Sequence, residues 1–113
     1  MRNDPVTLFE EISQLLAAPA DGAEAPPLER LEDTLTAGYA RALALEAERW
    51  RLEKRIGEVA ATLQDESNEL RTNEIATLAA RLSDADGELS RLRGLLATLR
   101  VRASDVRVAE AGA

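Results

Sequence analysis

The chain contains no cysteine, no histidine, one lysine, and three aromatic residues (Phe9, Tyr39 and Trp50) among 113 positions. Without cysteine there is no disulfide framework and no thiol nucleophile. Without histidine there is no Ser-His-Asp relay and no ordinary zinc or haem site. Three aromatics do not furnish a thick globular core. Isoleucine and valine, which favour strands, number three and five. No apolar run approaches the ~18 residues of a membrane span. The opening stretch Met1-Arg2-Asn3-Asp4-Pro5 lacks the apolar segment of a secretory signal. The expected location is therefore cytoplasmic, with no membrane partner.

What is abundant is Ala, Glu, Leu and Arg. With the single Lys54 they account for 67 of 113 residues, a composition that signals long helices or coiled coil. The formal net charge is −7. An acidic chain is poorly suited to neutralising phosphates, so no nucleic-acid partner is expected.

Residues 1–18 read as a short amphipathic helix. Asp4 can cap it, Pro5 suits the first helical position, and Thr7 with Glu10 offers an alternative capping box. Leu8, Phe9, Ile12, Leu15 and Leu16 share one face. A helix this short is marginal alone and needs a surface to dock on. Residues 19–27 form a Pro/Ala linker, broken by Pro19, Gly22, Pro26 and Pro27.

From Leu28, with Pro27 as first helical residue, a seven-residue repeat runs Leu28, Leu31, Leu35, Gly38, Ala42, Leu45, Arg49, Leu52, Ile56, Val59 and Leu63. A strict seven-residue period favours left-handed coiled-coil packing. A second, narrower stripe runs Tyr39, Leu43, Ala47 and Trp50. The repeat fails between Gln64 and Glu74. It resumes with a two-residue phase slip at Ile75, Leu78, Leu82, Ala85, Leu89, Leu92, Leu96, Leu99 and Ala103. A continuous rod would need its seam to jump there, whereas a reversal of the chain near residues 64–73 would not. The expected fold is all-α: an antiparallel coiled-coil helical hairpin over residues 28–103, with a short N-terminal accessory helix. Residues 104–113 read as a disordered tail. Laid antiparallel, the repeats set Val59 against Leu78, Ile56 against Leu82, Leu52 against Ala85, Ala42 against Leu96, and Gly38 against Leu99. The small-against-large pairs fill an interface without voids.

Several groups are candidates for chemistry. Arg49 occupies a seam position, opposite Leu89 in that pairing. Its stem can pack while the guanidinium reaches water or Glu53, and one polar seam residue can fix helix register. The segment Asp65-Glu66-Ser67-Asn68-Glu69 is the densest acidic cluster. An acidic hairpin tip is similar to that of Gre-type transcript-cleavage factors, in which acids hold a catalytic Mg²⁺. The globular domain and acidic motif of those factors are missing from this sequence, and the cluster reads as a solvated turn. Arg91, Arg93, Arg100, Arg102 and Arg107 make the end of the second repeat basic, while the first 27 residues carry a net charge of −4. These opposite charges can attract each other within one chain or between two.

The stretch Ala47-Glu48-Arg49-Trp50-Arg51-Leu52 through Arg55-Ile56-Gly57-Glu58-Val59 resembles the long first helix of the all-helical chorismate mutases. The resemblance rests on Arg49, Ile56 and Gly57 and implies a small helical enzyme that grips a dicarboxylate. The positions of two of that family's cationic groups hold Ala60 and Glu32, so catalysis is not expected. No cofactor or metal is expected either.

The expected function is a self-associating protein–protein interaction module, a structural, adaptor or scaffold coiled coil forming a homodimer or four-helix bundle. The alternative is a docking or regulatory subunit of a larger assembly, such as a transcription or secretion complex. The interface expected in either case comprises Tyr39, Leu43, Trp50 and Leu95, with Phe9, Ile12 and Leu16 of the first helix.

Overall fold

A computed structural model describes residues 5–65 and 69–112. Three helices make up the fold: α1 (Pro5–Ala17), α2 (Leu28–Asp65) and α3 (Glu69–Ala111). No strand occurs among the described residues. Helices α2 and α3 pack on each other as a helical hairpin, with α1 as a short N-terminal helix. Residues 64, 65 and 69–73 of the expected turn window are helical. Residues 66–68 lie outside the described residues, as do most of the acidic cluster at 65–69 and the expected Asp4 cap.

The chain divides into two compact units. Unit 1 comprises residues 1–42 and 91–113, and unit 2 comprises residues 43–90. In unit 2 the seam residues Leu52, Val59 and Leu78 form a buried cluster, flanked by the partly buried Ile56, Ile75 and Leu82. Leu45, Ala85 and Leu89 are also buried. Every one of these positions belongs to the two seven-residue repeats. The repeat therefore selected the buried face correctly.

In unit 1, α1 adds a third layer to the hairpin. Leu8, Ile12 and Leu15 are at most 1% exposed, and Leu31 and Leu35 of α2 and Leu92, Leu96, Leu99 and Ala103 of α3 are buried as well. The docking surface that a 13-residue helix requires is thus supplied by its own chain. The linker turns at Gly22, whose φ of +89° is left-handed and suits glycine. Ala25 N–H donates to the Gly22 carbonyl at 3.2 Å. Pro27 precedes α2 rather than opening it. Its carbonyl accepts from the N–H groups of Arg30 and Leu31 at 3.0 and 3.3 Å, so it sits at the cap.

Two expectations change here. Residues 104–113 were expected to be disordered, yet α3 continues through Ala111. Tertiary contacts hold the extension in place: Val106 is half-buried, and Arg107 donates to Glu32 Oε2 of α2 at 2.5 Å. Gly38 was expected to face Leu99 but lies against Leu96, three residues earlier. The small-against-large principle holds with a different partner.

Candidate functional site

The outward face of α2 in unit 2 is the candidate site. Leu43 lies nine residues from Leu52, half a turn around the helix from the buried seam at about 100° per residue. The helical period that buries Leu52 therefore forces Leu43 into solvent. Leu43 is 66% exposed and Trp50 is 62% exposed, and Ala47 between them is exposed as well. The face extends toward the C-terminus through Lys54 and Gly57, both exposed. The Lys54 ammonium stands 5.2 Å from the centre of the Trp50 ring. This cation–π contact lays the lysine along the face and leaves its charge in water. A Cβ added at Gly57 would meet nothing within 4 Å, so no packing inside the chain calls for a glycine there.

The remaining expected interface residues are placed differently. Tyr39 is exposed on α2 in unit 1. Leu95 was expected to be exposed but is partly buried. Ile12 is 0% exposed and committed to the core of its own chain, because α1 docks there. Leu16 is partly buried, and Phe9 lies beneath the Arg91 guanidinium, 4.6 Å from ring centre to carbon. The first helix thus spends its apolar face internally.

Arg49 is partly buried, its side chain 36% exposed. Its Nε lies 2.5 Å from Asp86 Oδ1, and an Nη lies 3.6 Å from Glu53 Oε1. The Nε–H does not point at the Asp86 oxygen, so this contact is an ion pair without an aligned hydrogen bond. The Glu53 contact follows from the spacing of four on a helix. Asp86 comes from the facing helix, three residues before the expected neighbour Leu89.

A second ion-paired group lies in the same unit. Arg55 donates to Glu74 Oε2 at 2.9 Å, and Arg71 donates to Glu74 Oε1 at 3.4 Å. The hydrogen bond from Arg55 is the main cause that holds the Glu74 carboxyl below its ordinary range; the positive charges of both arginines add to it.

The basic end of α3 serves unit 1. Arg102 donates to the carbonyls of Leu15, Leu16 and Ala18 at 3.4, 3.2 and 3.2 Å. One guanidinium fork thereby satisfies acceptors that the end of α1 leaves open. A concavity of about 490 Å³ opens beside Arg102, between Asp21 of the linker and Val106 of α3. The cation on its wall is already engaged with α1. Among the described residues no group of three or more acidic side chains is assembled that could hold a metal ion, and no helix is long and apolar enough to cross a membrane.

Sequence reasoning missed Gly57 as a member of the outward stripe. The available signal was a glycine in mid-helix, one seven-residue step after Trp50. It also missed a stripe on α3 in unit 2, where Ala76, Ala80, Ser83, Gly87 and Ser90 are all exposed at steps of four and three. No family model matches this sequence, no curated protein matches it, and no solved structure matches its fold.

Proposed function

We propose that this protein is a non-catalytic protein–protein interaction module that self-associates through the outward face of α2 in unit 2. The observation that supports this reading is the exposure of Leu43 and Trp50, at 66% and 62%, on one face at seven-residue spacing. Single exposed apolar residues are ordinary. A tryptophan and a leucine two turns apart, on a face that also carries Ala47 and Gly57, form a stripe shaped for another helix. Removing one such tryptophan from water contributes on the order of 2–3 kcal/mol, and a symmetric pair would gain it twice. A two-helix unit has a thin core and is commonly completed by association.

Sedimentation equilibrium over a range of concentrations tests the reading, with Trp50 as a built-in fluorophore. The expected mass rises from 12.3 kDa toward twice that value, and the Trp50 emission shifts to the blue as it does. Trp50→Ala is expected to remain at the monomer mass while keeping its helix content. A wild-type chain that stays monomeric at every concentration, with water-like emission throughout, retires self-association.

A further inference from the structure

We propose that the second copy lies antiparallel across this face with Trp50 at the twofold axis. Leu43 of each copy then seats on the bare backbone at Gly57 of the other, and Lys54 of each reaches Glu46 of the other. This rests on the self-association reading above and specifies its geometry.

The glycine carries the argument furthest. Gly38 has an internal reason to be glycine, because a Cβ there would run into Leu96. Gly57 has none: nothing lies within 4 Å of the position a Cβ would take, and the residue is exposed in mid-helix. Glycine is the least favourable residue after proline in such a place. Gly87 and Gly94 share that open space, so Gly57 counts through its place: it lies on the stripe of Leu43 and Trp50, where the close approach of a second copy would use it. In an antiparallel pair centred on Trp50, a residue a given number of positions before it lies level with the residue the same number after it. Seven positions each way couple Leu43 with Gly57, the largest aliphatic side chain on the stripe with the one site that lacks a side chain. Four positions each way couple Glu46 with Lys54, a carboxylate with the only lysine in the chain.

The alternatives are less well matched. A parallel pair would set Lys54 against Lys54 and Leu43 against Leu43, leaving the two glycines facing one another. Sliding the antiparallel pair by one seven-residue step sets Leu43 level with Trp50 and carries Lys54 away from Glu46. Sliding it the opposite way sets Trp50 level with Gly57 and Lys54 level with Glu53, but leaves Leu43 level with the polar Gln64. The centred arrangement matches size and sign while covering both Leu43 and Trp50. Isologous pairing also uses each contact twice, so two large-on-small contacts and two opposite-charge contacts form around one axis. The contact of Lys54 with the Trp50 ring favours this, since it keeps the ammonium beside the stripe while its charge stays in water.

Sedimentation equilibrium on the full chain and four variants tests the proposal, with far-ultraviolet circular dichroism to confirm folding. Gly57→Leu meets no obstacle within the chain and substitutes a better helix former, so its helix content and melting temperature should hold or rise. Its self-association should weaken about 5- to 100-fold, because the added side chain occupies the seat of Leu43. Lys54→Glu should weaken association by like-charge repulsion. The double variant Glu46→Lys, Lys54→Glu should restore it by exchanging the signs. Gly87→Leu, on the outward face of α3, should associate like wild type. A wild-type dimer combined with undiminished association of Gly57→Leu, or with no restoration in the double variant, overturns the antiparallel arrangement and leaves self-association standing. Loss of association in Gly87→Leu moves the interface to α3 and overturns the arrangement as well. A monomeric wild type overturns both.

Discussion

Gly38 of α2 lies so close to Leu96 of α3 that all three atoms nearest to a Cβ built at Gly38 belong to that leucine. The contact fixes how far one helix is displaced along the other in unit 1. It places Leu96, which is 2% exposed, in the only kind of hollow that a helix backbone offers. Gly94 of the same unit has nothing within 4 Å of its Cβ position. The two glycines therefore predict opposite outcomes. Gly94→Ala should raise stability by up to about 1 kcal/mol through helix propensity alone. Gly38→Ala should lower it by about 1–3 kcal/mol, since a buried leucine must leave its rotamer or the helices must part. Chemical denaturation of both variants reads the signs directly, and stabilisation by Gly38→Ala would show that Leu96 relaxes freely.

Arg102 ties α1 to α3 through three backbone carbonyls. Arg102→Ala removes the donors and returns those acceptors to water. Hydrogen bonds to a charged donor contribute about 1.5–3 kcal/mol each where well formed. The distances of 3.2–3.4 Å and the partial exposure of the site place the combined loss near the lower end. Hydrogen exchange should accelerate in residues 5–17 before it does in the α2–α3 seam. Arg102→Lys should rescue little, because an ammonium lacks the planar fork that spans several carbonyls.

Arg49 occupies a seam position and offsets part of its cost through Asp86 and Glu53. Partners about half exposed contribute little, roughly 0–1 kcal/mol. Arg49→Leu should raise the melting temperature by a few degrees, about 1 kcal/mol for a domain of this size, as apolar surface replaces a desolvated guanidinium. Asp86→Ala should change stability by less than about 1 kcal/mol. A melting temperature below wild type for Arg49→Leu would mean that the Asp86 pair outweighs its desolvation.

Glu74 predicts a pH dependence. Its folded carboxyl is held below the ordinary value of 4.5, first by the hydrogen bond from Arg55. A depressed folded value means that the unfolded chain binds the proton first as pH falls. The pair therefore stabilises the fold above about pH 4.5, and the contribution fades as pH drops through the lower folded value. Glu74→Gln should flatten the stability profile below pH 4.5 relative to wild type. Equal slopes for the two proteins in acid denaturation would show that Arg55 prefers the carboxylate no more than water does.

The sequence by itself determined the helical segments, apart from the last turns of α3, and which face of each is buried. Leucine and alanine at steps of three and four admit one amphipathic solution, and Pro19, Gly22, Pro26 and Pro27 interrupt it at defined places. The two-residue slip in the repeat likewise pointed to the hairpin, because a seam cannot jump around a continuous helix. The exposed stripe of Leu43 and Trp50 was legible for the same reason: it lies on the far side of the period that buries Leu52. What the sequence left open was how the helices are displaced along one another. Two seven-residue patterns match equally well at several offsets, and periodicity carries no information about which is adopted. The tertiary structure chose Leu96 rather than Leu99 for Gly38, and Asp86 as a partner for Arg49. It also decided the fates of α1 and the last turns of α3. A 13-residue amphipathic helix has an apolar face but no address, and a segment of mixed composition after Ala103 has no strong period of its own. Both became ordered through contacts with distant parts of the chain, Arg102 with the carbonyls of α1 and Arg107 with Glu32. Such contacts depend on sequence separations of more than seventy residues, which local propensity does not encode.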